Sequence, residues 1–100
     1  MNAEFNLWPV GQGLFYSGSF NGHKLIYDCG GSNERQVKSA IESYVEEYSD
    51  SKGFLKIDML IISHFDSDHI NGLPCLIEKC SVIDKIYIPY YGGDESYLLL

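Results

Sequence analysis

Basic residues are scarce in this chain. Seven Lys and Arg stand against fourteen Asp and Glu in 100 residues, for a formal net charge of -7. Coating nucleic acid by charge needs clustered Lys and Arg, and these are scattered, so that mode is excluded. Chemistry on a phosphate ester is not excluded, because bound metal ions supply local positive charge. Cysteines are few and odd in number (Cys29, Cys75 and Cys80) and form no C-x-x-C. That fits reduced thiols in or near a core and a reducing compartment. No basic segment followed by an apolar one opens the chain. No apolar run approaches the ~18 residues of a membrane span. The sequence as written therefore predicts a cytoplasmic protein without a membrane partner. Histidine is the last scarcity: there are three, and none follows His69.

What is present suffices for one domain over residues 1–100. Hydrophobic residues make up 45% and aromatics 14%, so composition does not point to disorder. Glu4 to Val10 reads as a first strand, with Pro9 suited only to an end or edge. Leu14 to Phe20 reads as a second strand. Asn21-Gly22 is a two-residue hairpin signal. His23 to Tyr27 returns as a third strand and ends in Asp28-Cys29-Gly30-Gly31. Asn33 and Gln36 have capping-box spacing, and Val37, Ala40, Ile41, Tyr44, Val45 and Tyr48 recur at helical spacing. Ile57 to Ile62 is an apolar strand interrupted only by Asp58. Ile70 to Cys80 reads as a helix with Pro74 in its first turn, and Val82 to Ile88 as a strand. Asp94-Glu95-Ser96 reads as the start of a further helix that meets no end, which suggests a truncated chain. A meander followed by helix, strand, helix, strand predicts an α+β fold: a mixed sheet with helices on one face and the other face uncovered.

The chain is organised around Ile61-Ile62-Ser63-His64-Phe65-Asp66-Ser67-Asp68-His69-Ile70-Asn71-Gly72. Four possible metal ligands, His64, Asp66, Asp68 and His69, fall within six residues at the end of an apolar strand. Imidazole and carboxylate suit Zn²⁺ or a harder ion such as Mn²⁺. Alternation along extended chain would point His64 and Asp66 the same way. A helix beginning near Asp68 would bring Asp68 and His69 beside them, its first turn tolerating the negative charge. The plainer alternative is a strand-to-helix turn capped by Ser67 or Asp68, with the histidines in water.

These residues resemble the N-terminal half of the metallo-β-lactamase fold superfamily. His64, Asp66, Asp68, His69 and Gly72 carry the likeness, supported by Val10-Gly11-Gln12-Gly13 and Tyr27-Asp28-Cys29-Gly30-Gly31. The usual H-x-H-x-D-H is here H-x-D-x-D-H, with Asp66 in the second histidine's place. That variant looks like the branch containing the hydrolase domain of bacterial DNA-uptake channel proteins, although Leu14 stands where that branch often has Asp. The resemblance implies half of an αββα sandwich and hydrolysis by a metal-activated water. It implies two divalent metal ions, Zn or Mn, in a complete domain. His64 and Asp66 would hold the first, and Asp68 and His69 the second. Asp68 would also act catalytically by steering the attacking water. Asp28 would support the ligands from behind, or else cap nearby backbone at a strand end. Gly72 would permit close helix packing, while His23 matches nothing and is expected to be exposed.

The family takes further His and Asp ligands from downstream segments. The later carboxylates here, Glu78, Asp84, Asp94 and Glu95, have no motif context and read as solvated charges. The sequence thus carries at most half a metal cage and points to an apparently truncated hydrolase domain. The substrate would be a small-molecule or nucleic-acid phosphodiester, and a missing C-terminal half or partner chain would complete the site. The fragment alone is expected to be inactive. The alternative is a non-catalytic fragment or interaction module, with the tyrosines between Tyr87 and Tyr91 as its contact loop.

Overall fold

The computed structural model describes residues 3–89. The chain runs β1 (Ala3–Leu7), β2 (Gly13–Phe20), β3 (His23–Gly31), α1 (Glu34–Tyr48), β4 (Lys56–Ile61), α2 (Ser67–Ile70), α3 (Leu73–Lys79) and β5 (Val82–Tyr87). The five strands lie in one sheet in chain order. β1, β2 and β3 pair antiparallel; β3, β4 and β5 pair parallel. The expected mixed α+β sheet is the observed one. Asn21 and Gly22 both adopt positive φ, 50° and 81°, as a two-residue turn matched to strand twist requires. The Asn33 side chain accepts from the Gln36 N–H and starts α1 where the capping pattern placed it.

Three boundaries differ from the expectation by more than one residue. β1 stops at Leu7 rather than Val10, because Pro9 has no N–H to give a ladder. β3 continues through Asp28-Cys29-Gly30-Gly31 instead of ending at Tyr27. The helix expected over Ile70 to Cys80 is two helices, α2 and α3, broken at Asn71-Gly72. There the Gly72 N–H leaves the helix pattern and donates to the Cys29 carbonyl at 2.8 Å. Pro74 does lie in the first turn of α3. The helix expected from Asp94 lies outside the described residues.

The core is one-sided. Val37, Ala40, Ile41 and Tyr44 of α1 share a buried cluster with Phe15, Ile26, Ile57 and Leu60 of the sheet and Leu76 of α3. The rings of Phe15 and Tyr44 meet edge-on, with centroids 5.8 Å apart. On the opposite side, Leu7, Tyr16, Tyr27, Ile61 and Tyr87 form one row across all five strands. Leu7 in that row is 70% exposed. Toward its end β4 is not buried on both faces, because Leu60 is buried beside Ile26 while Ile61, beside Tyr27, is half-buried. No helix among the described residues is long and apolar enough to cross a membrane. All three cysteines are free thiols. Burial pushes the Cys29 thiol up, and it pushes Cys80 up to about 11.

Asp58 interrupts β4 for a local reason. Its carboxylate accepts from the Lys24 N–H at 2.7 Å and lies 3.5 Å from His23 Nδ1 and 3.8 Å from Lys56 Nζ. Partial burial raises its pKa, but the Lys24 N–H, His23 and Lys56 together outweigh that and leave it below the usual carboxylate range. A depressed folded value contributes stability above the unfolded pKa of about 3.9, and that contribution is lost as pH falls through the folded value. Asp58→Asn should therefore flatten the acid limb of stability, measured by urea unfolding between about pH 2 and 5. In the core, Phe15→Ala should cost about 3–5 kcal/mol in the same assay. Tyr44→Phe should cost nothing or stabilise, because the buried Tyr44 hydroxyl has no partner among the described residues.

Candidate metal centre

The site starts from an irregularity in β3. Tyr16 pairs with Tyr27 and Phe15 with Cys29, which leaves Asp28 as an extra residue with no partner on β2. Asp28 takes a left-handed φ of 60°, a region that Asp tolerates better than most residues. Such a bulge re-aims side chains. Cys29 returns to the helix side and is fully buried in the core, and the Asp28 carboxylate, also fully buried, turns under the loop that follows β4.

Three donors meet that carboxylate. Oδ1 accepts from the Ser63 N–H at 2.7 Å. Oδ2 accepts from the Ser63 hydroxyl and lies 2.7 Å from His69 Nδ1. A left-handed residue costs about 1–2 kcal/mol. Each hydrogen bond to a charged group contributes about 1.5–3 kcal/mol, so three outweigh the backbone strain. Since a carboxylate can only accept, the bond puts a proton on His69 Nδ1, which in the neutral ring leaves Nε2 bare.

The imidazoles lie together, with ring centroids 3.8 Å apart. Ser63 Oγ is 2.8 Å from His64 Nδ1. On the far side of each ring is a carboxylate: Asp66 Oδ2 is 3.3 Å from His64 Nε2, and Asp68 Oδ1 is 3.8 Å from His69 Nε2. Asp66 is the outermost, 74% exposed, whereas His69 is 19% exposed. The four residues of the sequence cluster therefore form two imidazole–carboxylate pairs that meet at the rings. A different group brings three possible ligand atoms together: Asp28, His64 and His69, each offering one atom, all within 4.8 Å of one another. Asp28 is the member least free to ligate, since both its oxygens are already held by donors. Nitrogen donors flanked by carboxylate oxygens fit a divalent cation of the Zn²⁺ or Mn²⁺ kind.

Glycines let the ligand loop press against the sheet. A Cβ on Gly30 would lie 2.7 Å from both His69 C and Ile70 N, and one on Gly13 would collide with the Asp68 carbonyl oxygen. A Cβ on Gly72 would lie 2.8 Å from a Val37 methyl, in line with the close helix packing expected of it. Asn71 clamps the loop from the other end. Its Oδ1 accepts from the Gly31 N–H at 3.0 Å and its Nδ2 donates to the Gly31 carbonyl at 2.8 Å. Sequence reasoning passed over Ser63 and Asn71. The only signal for either was a small polar residue beside the cluster, one at the end of an apolar strand and one before a glycine. Glu78 and Asp84 are exposed, as solvated charges should be. α2 spans four residues, and Asp66 before it makes no side-chain cap bond. A lone turn carries little dipole, so the hydrogen bonds above, rather than a helix terminus, hold the cluster.

With this geometry in view, the chain belongs to the metallo-β-lactamase superfamily, whose family model matches residues 18–91. Cleavage and polyadenylation specificity factor subunit 3-I of Arabidopsis thaliana is 31% identical over 91 residues, 91% of this chain and 12% of that protein. Ribonuclease Z of Agathobacter rectalis is 35% identical over 72 residues, 72% of this chain and 19% of that enzyme. The chain thus spans under a fifth of the length of either relative. A solved structure described as the peroxy diiron species of the chemotaxis sensor ODP superposes with a TM-score of 0.55 over 85% of this chain and 33% of that one. Its 23% identity supports the fold alone.

Gly30→Ala tests the close approach. The added methyl meets backbone, which cannot rotate away, so we expect about 1–3 kcal/mol of destabilisation in urea unfolding. Divalent-cation affinity, measured by calorimetry, should fall with it as the His69–Ile70 backbone is displaced.

Proposed function

We propose that this chain is the N-terminal part of the hydrolase domain of a metal-dependent enzyme that cleaves phosphodiester bonds in nucleic acid. The observation that carries the reading is the imidazole pair, with His69 Nδ1 held by the buried Asp28 and an aspartate oxygen beside Nε2 of each ring. His64 and Asp66 would hold one divalent ion, and Asp68 and His69 a second. Asp28 holds His69 in position from behind rather than ligating. When bound, the ions supply Lewis acidity for a phosphoryl oxygen and make water a better nucleophile near neutral pH. Asp68, half-buried beside His69, orients the attacking water and accepts its proton. Asp66 in place of a histidine makes the site harder and more negative, which favours Mn²⁺ relative to a three-nitrogen site.

The relatives' names support a nucleic-acid substrate, and ribonuclease Z points to RNA. They lend no support to the finer likeness with DNA-uptake channel hydrolases. An acidic chain suits such a substrate only if bound cations answer the phosphate charge at the site. Four ligands make half of a two-metal cage, and the apolar row on the open face of the sheet favours a second half packed there. Residues 1–100 alone should accordingly bind metal weakly and turn over nothing.

The test uses the longest protein containing this segment, with Mn²⁺ or Zn²⁺, on bis-p-nitrophenyl phosphate and on an RNA oligonucleotide. We expect hydrolysis that chelation abolishes, a fall in kcat of about 10²–10⁴ for Asp68→Asn, and loss of metal from His64→Ala. A metal-loaded protein that cleaves neither compound would overturn the reading. Cleavage of the small diester alone would place the substrate among small-molecule phosphodiesters.

A further inference from the structure

Ser63 belongs to no motif that the family reading used, yet it touches both halves of the cluster. Its N–H and its hydroxyl are both spent on Asp28, and the same hydroxyl oxygen lies 2.8 Å from His64 Nδ1. A hydroxyl has one hydrogen to give. Asp28 accepts that hydrogen, so the remaining capacity of the Ser63 oxygen is to accept. The partner at 2.8 Å must then be a donor, and His64 carries its proton on Nδ1.

From this we propose that Ser63 is a positioning residue that extends the hold of one buried carboxylate to a second imidazole. Asp28 fixes His69 directly and His64 through the Ser63 hydroxyl. Both rings then present an unprotonated Nε2 on the side where Asp66 and Asp68 lie. The chain of donors runs His64 Nδ1–H to Ser63 Oγ–H to Asp28, with His69 Nδ1–H entering the same carboxylate from the other side. Burial strengthens the arrangement. Asp28 is fully buried, so no water competes for its oxygens, and an uncompensated carboxylate there would be costly. The carboxylate needs its donors, and the donors' geometry is what orients the rings. Loss of the Ser63 hydroxyl should therefore loosen His64 and spare His69.

This inference deepens the metal-centre reading and rests on it for its purpose, but its primary readout does not. Imidazole ¹⁵N–¹H correlation spectra of the metal-free protein, at a pH where both rings are neutral, report which nitrogen bears the proton. We expect Nδ1–H for both His64 and His69 in the unaltered protein. In Ser63→Ala the backbone N–H still reaches Asp28, so His69 should keep Nδ1–H while His64 moves to a mixture or to Nε2–H. Mn²⁺ affinity by calorimetry should fall about 10–100-fold. Ser63→Thr, which restores a hydroxyl, should recover both the tautomer and the affinity. An Nε2–H His64 in the unaltered protein would overturn the proposal without recourse to any variant. So would a folded Ser63→Ala that keeps the Nδ1–H form and binds Mn²⁺ within twofold of the parent. Failure of the hydrolase reading would show instead as an inactive metal-loaded protein with both tautomers as expected.

Discussion

The buried carboxylate of Asp28 is the constraint from which the site follows. An anion with no exposure must be met by donors, and here they come from one segment, the backbone and hydroxyl of Ser63 and the ring of His69. Meeting them fixes where the chain goes after β4. It cannot run outward as an ordinary loop but folds back over the end of β3. The ligand cluster is thus placed by a requirement of folding, and metal binding would inherit a geometry already enforced by the cost of leaving that carboxylate unpaired.

For Asp28 to be there, β3 has to carry one residue too many. The bulge opposite Phe15 and Tyr16 keeps Cys29 in the core while giving Asp28 a direction that neither face of a regular strand offers. Gly30 and Gly13 then remove the side chains that would hold the loop off the sheet, while Gly31 lets Val10 pack against β3. Asn71 and Gly72 fasten the loop's far end to Gly31 and Cys29. The two glycine-containing motifs of the sequence and the His/Asp cluster are therefore one object. The first two are the surface against which the third is pressed.

What could be read from the sequence, and what could not, divides by range. The Asn21-Gly22 turn, the Asn33 cap, the apolar face of α1 and the His/Asp cluster are written within a few residues of themselves, and local physics places them. The bulge is a relation between β2 and β3, so no inspection of Tyr27-Asp28-Cys29 alone could reveal that Asp28 lacks a partner. The break between α2 and α3 is likewise local in appearance and distant in cause. Helical spacing carries on through Asn71-Gly72, but the Gly72 N–H is claimed by Cys29, more than forty residues earlier. Asp28 had two open readings, cap or support. In the structure one of its oxygens accepts from the Ser63 N–H and the other lies against the His69 ring.

Strand order explains why the cluster lies where it does. β3, β4 and β5 run parallel, so their carboxyl ends fall on one edge of the sheet, and in such sheets ligands bind beyond those ends. Tyr27 pairs with Ile61 and Ile61 with Tyr87. Asp28 thus comes one residue past the first of these and Ser63 two past the second. β2 is antiparallel and begins at the same edge, which brings Gly13 under the Asp68 carbonyl. Four strands thus deliver an end to one place, three by leaving it and one by entering. In a chain with a net charge of -7, the aspartates gathered at that edge differ in how they are compensated. Hydrogen-bond donors compensate the buried Asp28. Asp66 and Asp68 lie outside that network, each with an oxygen beside a ring Nε2, where a divalent cation would be answered by carboxylate and imidazole together.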